Sequence, residues 1–193
     1  MFENQITPFQ NAYLTSCPNS QNLYALQYNT AFNQFKATLF KGRLSRLTKR
    51  ILGRTHRLYD LNDLKQYLSL RGSSYSGIQV VRIDSIIGSE SRTVDFDINF
   101  YPMNEAARER WINMAIAHLA RTVLPPVQLI RVGEAYFVRD GHHRISVSRH
   151  FGQVAMDAEV ITWKAAPPFP WQPGCGENLN LVETSTPIQL TSR

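Results

Sequence analysis

The run from Tyr136 to Gly152 constrains this chain more than any other stretch: Tyr-Phe-Val-Arg-Asp-Gly-His-His-Arg-Ile-Ser-Val-Ser-Arg-His-Phe-Gly. Tyr136 to Val138 are aromatic and β-branched, which suits a pleated, half-buried strand. Asp140-Gly141 is a turn signal, because glycine accepts backbone angles that other residues resist. Ile145, Ser148 and Phe151 then recur at helical spacing, and Gly152 stands where a helix C-cap is expected. The run therefore predicts a strand turning sharply into a helix that begins near His142, with Asp140 as its N-cap. The free N–H groups and the positive dipole end of such a helix form a natural phosphate site over the turn. Arg144 adds a fixed positive fork, and His142 and His143 add proton donors or ligands.

From about Val80 to Trp163 the chain resembles the ParB/sulfiredoxin-like superfamily, also called the ParB-like nuclease domain. Members share an opening strand, a helix, a hairpin and a Gly-x-x-Arg turn into a helix. Gly141-His142-His143-Arg144 is similar to the Gly-Cys-His-Arg of sulfiredoxins and the Gly-Glu-Arg-Arg of ParB proteins. The Asp-Gly-His-His-Arg form is most similar to the branch containing free-serine kinases. The resemblance implies an α+β fold, a small mixed sheet with packed helices. It also implies that the turn and the helix start hold nucleotide phosphates, with Asp140, Gly141 and Arg144 in contact. Arg92 resembles the arginine that these proteins often place after the first strand. Glu90 matches the region from which the kinase-like branch draws an acidic residue, and is the candidate general base or metal-orienting carboxylate. His142 or His143 is then the donor in a transition state. A nucleoside di- or triphosphate with Mg²⁺ is the cofactor implied. Sulfiredoxin chemistry is not expected, because His142 replaces the cysteine of the turn. Nor is full ParB function, because a Pro-rich stretch follows Trp163 where a helix-turn-helix is usual.

The charge of the chain is distributed unevenly. The formal net charge is +6, and no acidic residue lies between Glu3 and Asp60. That interval carries Lys36, Lys41, Arg43, Arg46, Lys49, Arg50, Arg54 and Arg57, a one-signed block with the footprint of a nucleic-acid or anionic-membrane contact. Leu39, Phe40, Leu44, Leu47, Ile51 and Leu52 recur within it at helical intervals. An amphipathic basic helix from about Asn22 to Leu52 is expected, broken near Gly42. The same pattern also fits a helix that packs its apolar side on the core and solvates its charges. Two function classes are therefore open. One is a small phosphotransferase or nucleotide hydrolase; the other is a DNA-associated binding module in which the helix contacts phosphates without reading sequence.

The remaining elements follow from local pattern. The first twenty residues, with Pro8 and Pro18, are expected to be irregular. Leu58 to Leu70 reads as a helix with Asp60 or Asn62 near its start, and Arg71 to Gly77 as a loop. The domain boundaries expected are 1–77 for the basic extension, 78–164 for the ParB/sulfiredoxin-like domain and 165–193 for a Pro-rich tail that packs locally through Phe169 and Trp171. Ile78 to Ile87 reads as a strand. Asp95 and Asp97 alternate with Phe96, Ile98 and Phe100, which suggests an edge strand or extended loop with its carboxylates outward. Asn104 to Thr122 reads as a helix capped by Asn104, with Ala107, Trp111, Met114, Ala115 and Leu119 on its core stripe. Gly133-Glu134, between Val127–Val132 and Ala135–Val138, has the pattern of a type II′ hairpin. Ala158 to Trp163 closes the sheet.

Other classes are excluded by absence of pattern. No apolar run reaches the length of a membrane span. Met1 to Gln10 carry Glu3 and no basic start, so no secretory signal is expected, and a cytoplasmic location follows. Cys17 and Cys175 lack metal or disulfide spacing. Adjacent helical residues point about 100° apart, so His142 and His143 are not expected to share a metal.

Overall fold

The computed structural model describes residues 20–52 and 57–171. The expectations for residues 1–19, for Arg54 and for residues 172–193, and with them Cys17 and Cys175, lie outside the described residues.

A six-stranded mixed sheet with packed helices forms the body. The strands are β1 (Tyr59–Asp60), β2 (Ser69–Arg82), β3 (Ile86–Ser89), β4 (Val127–Val132), β5 (Ala135–Asp140) and β6 (Ala155–Ala166), in the order β1-β3-β5-β4-β6-β2. β1, β3 and β5 run parallel, β4 pairs antiparallel with β5 and parallel with β6, and β2 closes the far edge antiparallel to β6. The central strands are buried on both faces. In β4, Leu129 and Ile130 are both buried, and in β5 so are Phe137 and Val138, because successive side chains point to opposite faces. Leu129 and Val138 join Ile83, Ile86, Phe96 and Ile145 in one core. Ile130 and Phe137 join Leu61, Leu64 and Phe169 in another.

The β4–β5 turn is the expected hairpin: Gly133 has φ +60°, and Glu134 is not among the residues with positive φ. Phe169 packs on that glycine and stacks on Trp171 at 5.2 Å, so this part of the Pro-rich segment does pack locally.

The helices are α1 (Ser20–Ile51), α2 (Leu61–Lys65), α3 (Arg108–Leu119) and α4 (His142–His150). Ala31, Phe35 and Leu39 of α1 pack on Trp111, Ile112 and Ala115 of α3 and on Val147 of α4. Trp111 Nε1 donates to Ser146 Oγ at 2.9 Å, tying α3 to α4, and Thr38 Oγ1 lies 3.0 Å from His150 Nδ1, tying α1 to α4.

Several expectations are corrected. α1 is not broken at Gly42. A Cβ there would sit 2.6 Å from the carbonyl oxygen of Pro102, so the glycine serves a close approach of helix to chain. The helix expected over 58–70 is only α2, capped by Asp60 Oδ1 accepting from the Asn62 amide at 2.9 Å. The loop expected over 71–77 belongs to β2, which pairs with β6 from Ser69 to Arg82 despite two register shifts. The expected domain boundary at 77/78 therefore falls inside a strand, and β1 also adds to the sheet from before it. The strand expected over 78–87 is interrupted by a 3₁₀ turn at Ile83–Ser85.

Asp97 does not point outward. It is buried, and its Oδ1 accepts from the amides of Asn99 and Tyr101 at 2.9 and 2.8 Å. It thereby closes a turn in which Phe100 adopts φ +59° and packs on Phe96. Asn104 does not cap α3 through its side chain; it donates to Asp95 Oδ1 at 3.2 Å, while a 3₁₀ turn at Glu105–Ala107 leads into the helix. Leu119, expected on the core stripe, is exposed, and Ile112 and Ala117 are buried instead.

Candidate functional site

β5 delivers Asp140 and Gly141 to the sheet end, and α4 starts at once. Gly141, not Asp140, is the N-cap. It has φ +101°, and no side chain caps the helix. A Cβ at this position would lie 2.5 Å from Val127 Cγ1 and 3.1 Å from Arg144 Nη2, so backbone angle and space both require glycine. The first α4 hydrogen bond runs from the Ile145 amide to the Gly141 carbonyl, so the amides of His142, His143 and Arg144 precede the helical ladder.

Arg144 is occupied. Its Nη1 donates to the Pro125 carbonyl and, at 2.9 Å, to the Pro126 carbonyl, and its Nη2 meets Asp140 Oδ2 at 2.7 Å. The fork expected to meet phosphate here clamps the Pro125–Pro126 segment to the corner while still lining the cavity described below. Asp140, in turn, is the partner of Arg144 rather than a helix cap.

The two histidines differ. His142 is buried, stacks 5.8 Å from Phe96, and places Nε2 2.7 Å from Ser89 Oγ. Ser89 Oγ already accepts from the amides of Ser91 and Arg92 at 3.2 and 3.0 Å. A hydroxyl has two acceptor positions and one proton; of the two acceptors in reach of that proton, His142 Nε2 at 2.7 Å is nearer than the Val138 carbonyl at 3.4 Å, so the imidazole proton is assigned to Nδ1. His143 meets Phe96 edge-on at 5.2 Å, and neither of its ring nitrogens, both buried, has a hydrogen-bond partner.

Burial pushes His142 down from 6.5 to about 4, with the charge of Arg92 adding to it. Burial also takes His143 down to about 4, helped by Arg92 and then Arg110. Both rings are neutral at pH 7.

His143 lines a cavity of about 260 Å³ together with Arg92, Arg110, Asn113, Met114, Asp140, Gly141, His142 and Arg144. Arg92 holds Asp95 at 3.8 Å. Arg110, on the exposed side of α3, makes no hydrogen bond or ion pair among the described residues. Arg144 also borders a larger depression of about 590 Å³ beneath Pro125 and Pro126. There, Asp157 stands with Arg121 and Arg144, whereas the smaller cavity sets one carboxylate, Asp140, already paired with Arg144, against Arg92 and Arg110 as well.

Of the residues expected at the site, the fold brings together Arg92, Asp140, Gly141, His142, His143 and Arg144. Glu90 is not with them. Its carboxylate pairs with Arg139 Nε at 2.9 Å and Lys65 Nζ at 3.9 Å. The reason is strand alternation: Ser89 points to the histidines, so the next side chain leaves on the opposite side. Arg110, Asn113 and Ser89 are additions. Arg110 and Asn113 are three apart on α3, a spacing that shares one helix face. Which residues that face meets becomes visible only when α3 is docked on α4.

The basic residues of α1 lie apart from this cavity. Lys36 Nζ sits 4.4 Å from the centre of the Phe32 ring, Arg43 reaches Glu105 at 3.8 Å, and Lys41 and Arg46 are exposed. The side chains of Lys49 and Arg50 lie outside the described residues.

No family model matches the chain, and no curated protein or solved structure matches it either. Among the described residues, no helix is long and apolar enough to cross a membrane.

Proposed function

We propose that the cavity beneath Gly141 binds the phosphate groups of a nucleotide, in a domain of the ParB/sulfiredoxin-like kind. The observation that carries this reading is His143. Two ring nitrogens, buried and unpartnered, are costly unless something completes them. The groups around them are Arg92, Arg110 and the leading amides of α4. All of these favour an anion. A phosphate oxygen accepts from the one N–H of neutral His143, from guanidinium and from backbone amides, so one ligand chemistry meets the donors of the wall.

Mg²⁺ favours oxygen ligands in octahedral geometry. The cavity offers it one carboxylate, Asp140, which is paired with Arg144. A metal accompanying the nucleotide would therefore be held mainly by phosphate and water. Phosphoryl transfer needs an activated acceptor in addition, and Glu90 is engaged with Arg139 and Lys65 away from the cavity. Binding is accordingly the first reading, and transfer or hydrolysis the second.

The test is a thermal-unfolding series with inorganic phosphate, ADP, ATP and CTP, with and without Mg²⁺. A ligand at ~100 times its Kd should raise apparent stability by about 2.7 kcal/mol. No shift with any of them at millimolar concentration would refute the proposal. Nucleotide turnover that vanishes in His143→Leu while binding survives would move the reading from binding to catalysis.

A further inference from the structure

The long helix α1 has two apolar faces, and among the described residues only one of them is covered. Ala31, Phe35, Thr38 and Leu39 are buried against α3 and α4. About half a turn away, at roughly 100° per residue, a second series stays in solvent: Phe40 is 66% exposed, Leu44 48%, Leu47 57% and Ile51 84%. These four are spaced 4, 3 and 4 residues apart, and they fall within an arc of roughly 60°. The same alternation extends backwards through Ala37, Asn33, Thr30, Leu26 and Leu23, all exposed. A narrow seam with steps of three and four is the a/d pattern of a helix that packs knobs-into-holes on another helix.

The residues beside the seam indicate what kind of helix. Lys36 and Arg43 occupy one flank and Lys41 the other, at the e and g positions that face a partner in such a pair. No acidic residue lies anywhere between Glu3 and Asp60. Two copies of α1 would set cation against cation in either orientation, which disfavours self-pairing. A bilayer takes up a broad apolar face rather than a seam interrupted by Thr30 and Asn33. Duplex nucleic acid offers nothing to a Phe–Leu–Leu–Ile row.

We infer that the outer face of α1 docks an amphipathic helix of a partner protein, one with apolar a/d positions and Asp or Glu at its e and g positions. The inference is independent of the phosphate site. Leucines of the partner would interdigitate with Phe40, Leu44, Leu47 and Ile51, and its carboxylates would meet Lys36 and Lys41, and would share Arg43 with Glu105 of this chain.

The experiment uses the full chain and two labelled synthetic peptides of four heptads, both with Leu at a and d. One carries Glu at e and g, the other Lys. Fluorescence anisotropy should show saturable binding of the Glu peptide that weakens as salt rises, with no binding of the Lys peptide. The double change Leu44→Ser and Leu47→Ser alters exposed side chains only and should weaken binding roughly tenfold or more. Its circular dichroism and melting should stay those of the parent. Equal binding of the two peptides, or binding of neither, overturns the inference. So does seam-dependent self-association in sedimentation. Seam-dependent capture by phosphatidylserine vesicles or by a 30-base-pair duplex assigns the face to lipid or nucleic acid instead, and likewise overturns it.

Discussion

The side chains that border the cavity at the start of α4 fall into two sets in opposite chemical states: a braced set on the turn, and an open wall made of His143, from the same turn, and Arg110, from α3. On the turn, the groups have partners within the protein: the Arg144 fork meets two carbonyls and Asp140, and His142 meets Ser89. On the wall, His143 has no partner and Arg110 makes no hydrogen bond or ion pair among the described residues. Burial and charge depress the two histidines alike, to about 4, so the difference lies in hydrogen bonding and not in the field. A motif residue can therefore build a corner without being left open to a ligand. On the proposed reading, the groups that folding leaves incomplete are the ones that the nucleotide would complete.

The largest expected effect is on the turn. Gly141→Ala should destabilise the protein by roughly 2–5 kcal/mol, combining a left-handed backbone cost with overpacking against Val127. Urea denaturation measures it, and a change under about 1 kcal/mol would mean the corner yields and glycine is not required.

Next come the arginines. Arg144→Ala should cost about 3 kcal/mol, because charge-assisted bonds to the Pro125–Pro126 segment and Asp140 are lost together. Arg110→Ala should stay within about 0.5 kcal/mol while lowering nucleotide affinity about tenfold or more. Equal destabilisation by the two would erase the distinction between turn and wall.

The histidines should separate in the same way. His142→Ala removes the nearest acceptor of the buried Ser89 hydroxyl, leaving it the longer contact to the Val138 carbonyl, and should cost ~1–3 kcal/mol. His143→Leu removes a ring with no hydrogen bonds, so stability should change little or rise, while binding is lost.

The most gradual effect is on the pH dependence of stability. Folding lowers both histidines from 6.5 to about 4, so the unfolded chain binds more protons within that window. Stability should be fully present above about pH 6.5 and fall as pH drops towards 4, by at most about 1.4 kcal/mol per pH unit for each ring. An anion in the cavity would offset Arg92 and Arg110 and raise the pKa of His143. Binding should then take up a proton and make the loss on acidification shallower.

The corner was the most legible part of the chain, because its strand, glycine and helix are specified by neighbouring residues. The hairpin at Gly133-Glu134 was legible for the same reason. What escaped depends on contacts distant in sequence. Residues 71–77 have the composition of a loop, and they become strand because β6 supplies an edge to pair with. Gly42 suggests a helix break until Pro102 is seen against it. Asp97 alternates with apolar neighbours as an outward residue would, yet it folds inward to bind the amides of its own turn. Within the site, Arg92 and the two histidines could be nominated from the motif and the resemblance. Glu90 could not be correctly placed without knowing that Ser89 takes the inward side of β3. Arg110 needed the docking of α3 on α4.

The most direct test is a proton NMR titration of the histidine ring signals, assigned with the two single variants, in the absence and presence of saturating ATP. Both rings should titrate near 4 in the free protein. With ATP, His143 should move up by about a unit or more, while His142, held by Ser89, should move far less. Equal shifts of the two rings, or none while ATP is bound, would contradict the assignment of the wall as the phosphate-binding surface.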